Sequence, residues 1–152
     1  MQKDKILTVI SGLIIIVTVF ILSQSFLSQE NSVKESETVQ SAVTNVFETQ
    51  NKLITNLTKF RKVAHFAEYA VLGICASLFV IRKHKKVGMT EVYQLLSFCL
   101  IIGVADEIIQ YFSGRTALVE DIMLDFFGAL CSVAAVFLVR FIIKKLSYIR
   151  GK

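Results

Sequence analysis

The chain has 152 residues and contains no proline, no tryptophan, seven glycines and only three cysteines. Without proline nothing forces a break in a helix, so helical segments can run long and uninterrupted. Without tryptophan, anchoring at a membrane–water boundary falls to tyrosines and to long basic side chains. The cysteines, Cys75, Cys99 and Cys131, fall in three different apolar stretches, with no Cys-x-x-Cys pair and no cysteine–histidine metal spacing. They give no sign of a disulfide framework or a thiolate metal site, and packing is their expected role. Charged residues make up 19% of the chain, and no internal repeat is evident.

What is abundant is apolar surface. Hydrophobic residues account for 54% of the sequence and gather into four runs, at 6–27, 63–81, 92–112 and 122–143. About 20 apolar residues are enough for a helix to cross a ~30 Å hydrocarbon core. The composition therefore predicts an all-α integral membrane protein, with four transmembrane helices in one bundle and no room for a separate soluble domain of ordinary size. Residues 1–27 form the first unit. Its apolar core is longer than the ~7–15 residues of a secretory signal, and no A-x-A-like site follows, so an uncleaved signal anchor is expected. The remaining units are a segment at 28–61, a transmembrane region at 62–143 and a basic tail at 144–152.

Basic residues orient the bundle. With the N-terminus inside, eleven Lys and Arg face the cytoplasm and six face out, while two acids lie inside and ten outside. This satisfies the positive-inside rule and predicts cytoplasmic N- and C-termini. The overall +5 divides into +9 inside and −4 outside, which removes the case for nucleic acid as a partner. The bilayer is the first partner, and the inner basic rim suits anionic lipid heads.

The segment at 28–61 splits in two. Val39, Val43, Val46, Gln50, Leu53, Leu57 and Phe60 recur at alternating steps of four and three, one stripe of a helix, so an outer amphipathic helix is expected between helices 1 and 2. Residues 28–37 have no such pattern and read as a loop. His84, within a run of basic residues, reads as a solvated loop residue, and Tyr93, Tyr111 and Tyr148 as interfacial anchors.

Ionisable residues inside the apolar runs are the strongest sign of a site. A charge in hydrocarbon costs at least ~2.5 kcal/mol, and here several lie near the same end of their spans. Lys62, His65 and Glu68 begin the second span, Asp106, Glu107 and Gln110 end the third, and Arg115, Asp121 and Asp125 lead into the fourth. At ~1.5 Å per residue, Glu68, Asp106 and Asp125 come to a similar depth in the outer half of the membrane. Helical spacing puts His65, Glu68, Tyr69 and Leu72 on one face, Gly103, Asp106, Glu107 and Gln110 on another, and Asp121, Asp125, Gly128 and Ser132 on a third. Each polar stripe continues into small residues such as Gly73 and Ala76, which marks it as an interior face. The expectation is a buried pocket open to the outside, with the Gly114–Arg115 turn at its mouth. Arg115 there either neutralises Asp121 or Glu120 or grips an anion through its fork of donors.

The pattern Lys62-x-x-His65-Phe66-x-x-Tyr69-x-x-Leu72-Gly73, Asp106-Glu107-x-x-Gln110-x-Phe112, Gly114-Arg115 and Asp121-x-x-x-Asp125-x-x-Gly128-Ala129 resembles the VanZ-like family. The resemblance covers roughly residues 62–138. It implies a multi-pass protein of the bacterial cell membrane, in a family whose namesake is linked to resistance to the lipid-tailed glycopeptide teicoplanin. Many members have proline where this chain has Ser113 and asparagine where it has Asp125, so the cluster is more acidic than usual, which favours a cation or a shared proton.

Three functions compete. In the first, Lys62, His65, Tyr69, Glu107, Gln110, Arg115, Asp121 and Asp125 bind an anionic envelope lipid or a lipid-tailed glycopeptide, with no cofactor or metal. On that reading Asp125→Asn is expected to be tolerated. In the second, the protein is an intramembrane hydrolase or transferase acting on an envelope lipid precursor. Its catalytic candidates are His65, Glu68, Asp106 and Glu107, and Glu68, Asp106, Glu107, Asp121 and Asp125 would hold Mg²⁺ or Mn²⁺. In the third, it is an ion- or proton-coupled carrier.

Overall fold

The structure is a computed structural model that describes residues 2–42, 47–84, 86–114 and 118–150, without the side chains of Lys3 and of residues 26–42 and 47–61. The described residues form four helices and no strand: α1 (Gln2–Ala42), α2 (Phe47–Lys83), α3 (Met89–Phe112) and α4 (Val119–Arg150). Each contains a stretch long and apolar enough to span a membrane, at Asp4–Ser25, Lys62–Lys83, Met89–Phe112 and Val119–Arg150.

The helices run longer than the apolar spans. Backbone helix continues through 28–37, where a loop was expected, and on to Ala42, and it runs through 144–150 of the basic tail. Glutamate, glutamine, lysine and serine are tolerated in helices, and no proline interrupts them, so loss of hydropathy ends a span without ending its helix. The helix expected outside the membrane shares an unbroken backbone with the second span, from Phe47 to Lys83. Its amphipathic stripe, Val39 to Phe60, lies in side chains outside the described residues.

Two kinds of contact build the bundle. The most extensive is between α2 and α4, and α1 sits across from α4, each packed against both α2 and α3. Buried Tyr69, Leu72, Ala76, Leu95, Cys99, Ala129 and Val133, with Ile21 from α1, form the core. The other is close backbone approach. A methyl group at Gly73 would lie 2.9 Å from the Ala129 carbonyl oxygen, and one at Gly128 would overlap the Phe66 carbonyl. Large apolar residues such as Val9, Ile16, Ile101, Phe127 and Phe141 point outward, as lipid-facing side chains do.

Short connections hold the ends. Glu91 Oε2 accepts the Gly88 N–H at 2.8 Å, capping α3, and His84 Nδ1 stands 3.8 Å from Glu91 Oε1, so His84 is engaged across the α2–α3 connection and not simply solvated. Gly114 takes φ 78°, the left-handed conformation open to glycine, and its N–H reaches the Tyr111 carbonyl at 3.1 Å to close α3. Tyr93, Tyr111 and Tyr148 are exposed near helix ends, whereas Tyr69 is fully buried. Of the cysteines, Cys99 packs in the core and Cys131 is exposed on α4, so packing accounts for the first and not the second.

Candidate functional site

Four helices contribute to one polar cluster near the C-terminal end of α3. On α3, Gly103, Asp106, Glu107 and Gln110 are all buried, as their shared face requires. On α4, Asp125, Gly128 and Ser132 are buried. α2 supplies His65 and, one turn on, Tyr69. α1 supplies Ser25, buried at the end of its apolar stretch.

Asp106 is the hub. It is 0% exposed. Its Oδ1 accepts the Ser25 hydroxyl, which ties α1 to α3, and its Oδ2 accepts Gln110 Nε2 at 3.1 Å. His65 Nδ1 lies 3.7 Å from Asp106 Oδ2 and 3.7 Å from Asp125 Oδ1, so one imidazole bridges the acids of α3 and α4. One potential ligand atom from each of these three residues fits within a 4.8 Å spread. Tyr69 and Asp125 both lie against Gly103, where a methyl would meet the Tyr69 ring and Asp125 Cβ at the ordinary contact distances of 3.7 and 3.8 Å. Such an arrangement can hold a cation, pass a proton, or fix the register of three helices.

The other expected residues lie around this trio. Glu107 Oε1 accepts the Leu118 N–H at 2.5 Å and so ties the α3–α4 connection back to α3. Asp121 faces Lys62 Nζ at 3.7 Å, and Glu120 lies 3.9 Å from the same ammonium, forming a rim that is partly open to solvent. Glu68 is half-buried and stands outside the trio. Of the five acids expected as metal ligands, Asp106 and Asp125 converge, while Glu107 and Asp121 have other engagements. Arg115 lies outside the described residues.

Sequence reasoning missed two participants. Ser25 carries no signal in an apolar span, except that it sits at the same end as the cluster. The Leu118 N–H is a backbone group and leaves no trace in residue type. Ser25→Ala should lower the unfolding free energy in detergent by ~1–3 kcal/mol, because a buried acceptor on Asp106 loses its donor. An unchanged unfolding transition would show that the α1–α3 tie carries no energy.

The fold and the cluster define a multi-pass membrane protein with an intramembrane polar site. A family model described as VanZ/LLP1 matches residues 8–141, and the chain belongs to that family. It is a protein of the bacterial cell membrane. No curated protein and no solved structure matches it.

Proposed function

We propose that the polar end of the bundle faces the outside of the cell and binds the anionic head of an envelope lipid or of a lipid-tailed glycopeptide, altering sensitivity to teicoplanin-type antibiotics. The observation that carries this reading is the gathering of buried acids, Asp106, Glu107 and Asp125, at one end among the described residues, with a half-exposed lysine nearby. Lys62 is held by Asp121 and Glu120 at 3.7 and 3.9 Å, yet its side chain keeps 43% exposure, so it can donate further hydrogen bonds to an anion. The Glu120 partner is 81% exposed, and exposed pairs are worth at most ~1 kcal/mol, so the lysine can give up that contact at small cost. Arg115, in the adjacent connection, would supply the bidentate grip. The lipid tail would lie against the apolar outer faces of the helices.

In cells, Lys62→Ala and Arg115→Ala should each abolish the resistance phenotype while leaving membrane levels unchanged, and Arg115→Lys should weaken it by losing the fork. Full activity in both alanine variants would refute the reading. Orientation is tested separately. A cysteine placed at Lys86 should resist an impermeant thiol reagent on intact cells, and one at Glu120 should react. The reverse pattern would put the polar end inside.

A further inference from the structure

The trio on α2, α3 and α4 combines one imidazole with two carboxylates, and its atoms are close enough to share a single ion. We propose that His65 Nδ1, Asp106 Oδ2 and Asp125 Oδ1 bind one divalent transition-metal ion in the polar end of the bundle. The inference goes beyond head-group binding and does not rest on it.

Distance is the first argument. Ligand atoms ~2.0–2.2 Å from one ion stand ~3–4 Å from one another. The two histidine–carboxylate separations are 3.7 Å, longer than a hydrogen bond and within that range, and all three atoms fit within 4.8 Å. Closing the widest pair needs only a small side-chain adjustment. Three different helices supply the ligands, so binding would also lock the bundle.

Unsatisfied polar atoms supply the second. Asp125 is 2% exposed and its Oδ1 has no hydrogen-bond partner. Tyr69, 0% exposed, has an unpartnered hydroxyl that faces the same point of α3 as Asp125, since both lie against Gly103. Gln110 is 1% exposed, and although its amide nitrogen bonds Asp106, its Oε1 is unpartnered. Buried polar atoms are satisfied in at least ~90% of cases, so three exceptions on Asp125 itself, on Gln110 bonded to Asp106 and on Tyr69 beside Asp125 point to a ligand. An ion takes Asp125 Oδ1 directly, and water bound to it can donate to Gln110 Oε1 and bond the Tyr69 hydroxyl.

Charge and ligand type are the third. Two carboxylates in a low-dielectric interior are costly, and a dication balances both. Imidazole among oxygen ligands suits Mn²⁺, Fe²⁺ or Zn²⁺, whereas Ca²⁺ and Mg²⁺ prefer oxygen throughout. Ser25 and Gln110, bonded to Asp106, then act as positioning residues that hold the ligand carboxylate in place. On this inference Asp125→Asn is no longer the tolerated change expected from the sequence.

The test is a Mn²⁺ titration of the full chain, stripped by chelator, in dodecyl maltoside, read by the electron paramagnetic resonance signal of free Mn²⁺. One Mn²⁺ per chain should bind and be displaced by Zn²⁺ but not by an equal concentration of Ca²⁺. Asp125→Asn and His65→Gln should weaken binding by more than ~100-fold, and Ser25→Ala by ~10-fold, the range for an outer-sphere partner. Thermal unfolding of the metal-free variants checks that they fold. Absence of saturable Mn²⁺ and Zn²⁺ binding to the unmodified chain overturns the proposal whatever the variants do, as does unchanged affinity in folded Asp125→Asn. Because the micelles contain no phosphate head and no glycopeptide, failure of head binding leaves this result untouched.

Discussion

Gly128→Val should remove most of the protein from the membrane fraction. A side chain at 128 would begin inside the Phe66 carbonyl of the facing helix, and Gly73 presents the complementary constraint, with Ala129 and Ser132 against its α-carbon. At 128 the obstacle is backbone, and at 73 the Ala129 carbonyl stands beside the Ser132 hydroxyl, so for Gly128→Val no rotamer change relieves it and α2 must move off α4. That is the most extensive contact of the bundle. Overpacking of a tight core costs ~1–3 kcal/mol, and where the backbone itself is the obstacle the upper end or more is expected. Membrane proteins lack a hydrophobic drive between helices, so close packing carries much of their association and is correspondingly sensitive. Gly12 is the internal control, because a methyl there meets nothing within 4 Å, and Gly12→Ala should behave as the parent does. Quantitative immunoblotting of membranes and thermal unfolding in detergent measure both. Normal levels and unchanged unfolding in Gly128→Val would mean that the α2–α4 interface is not as close as described.

Asp106→Ala should be the most damaging single change in the polar cluster. The carboxylate serves Ser25, Gln110 and His65 at once, from three helices. Alanine strands a hydroxyl, an amide and an imidazole in a buried site, and breaking such a network by removing one partner costs ~3–5 kcal/mol. Asp106→Asn retains an oxygen to accept from Ser25 and should keep most of the fold while losing the charge. The two variants therefore separate architecture from electrostatics: unfolding temperature should fall steeply for alanine and little for asparagine. Equal loss in both would assign the stabilisation to charge instead. Glu107→Ala should sit between them, since it leaves one backbone N–H, that of Leu118, without its acceptor, at ~1–3 kcal/mol.

The four spans and the interior faces were legible in the sequence because each rests on a one-dimensional property. Hydropathy over ~20 residues determines a crossing, and the 3.6-residue period determines which residues share a face. The polar stripes that run into Gly73, Gly103 and Gly128 therefore identified buried faces without any knowledge of neighbours. The ends of the helices were less legible. Hydropathy reports where lipid stops, and only hydrogen bonding reports where the helix stops, so 28–42 and 144–150 continue as helix beyond their apolar spans.

Which faces meet is a three-dimensional question, and only the tertiary structure answered it. Periodicity assigns Glu107 and Asp106 to one stripe, but the rotation of α3 against its neighbours sends Glu107 to the Leu118 N–H and Asp106 to His65. Asp121 and Asp125 are likewise one turn apart on α4, yet the first pairs with Lys62 at the rim and the second with His65 inside. Ser25 became part of the site only because α1 packs beside α3. A lone serine in an apolar run has no pattern to read, and its role is set by whichever group the packing brings opposite its hydroxyl.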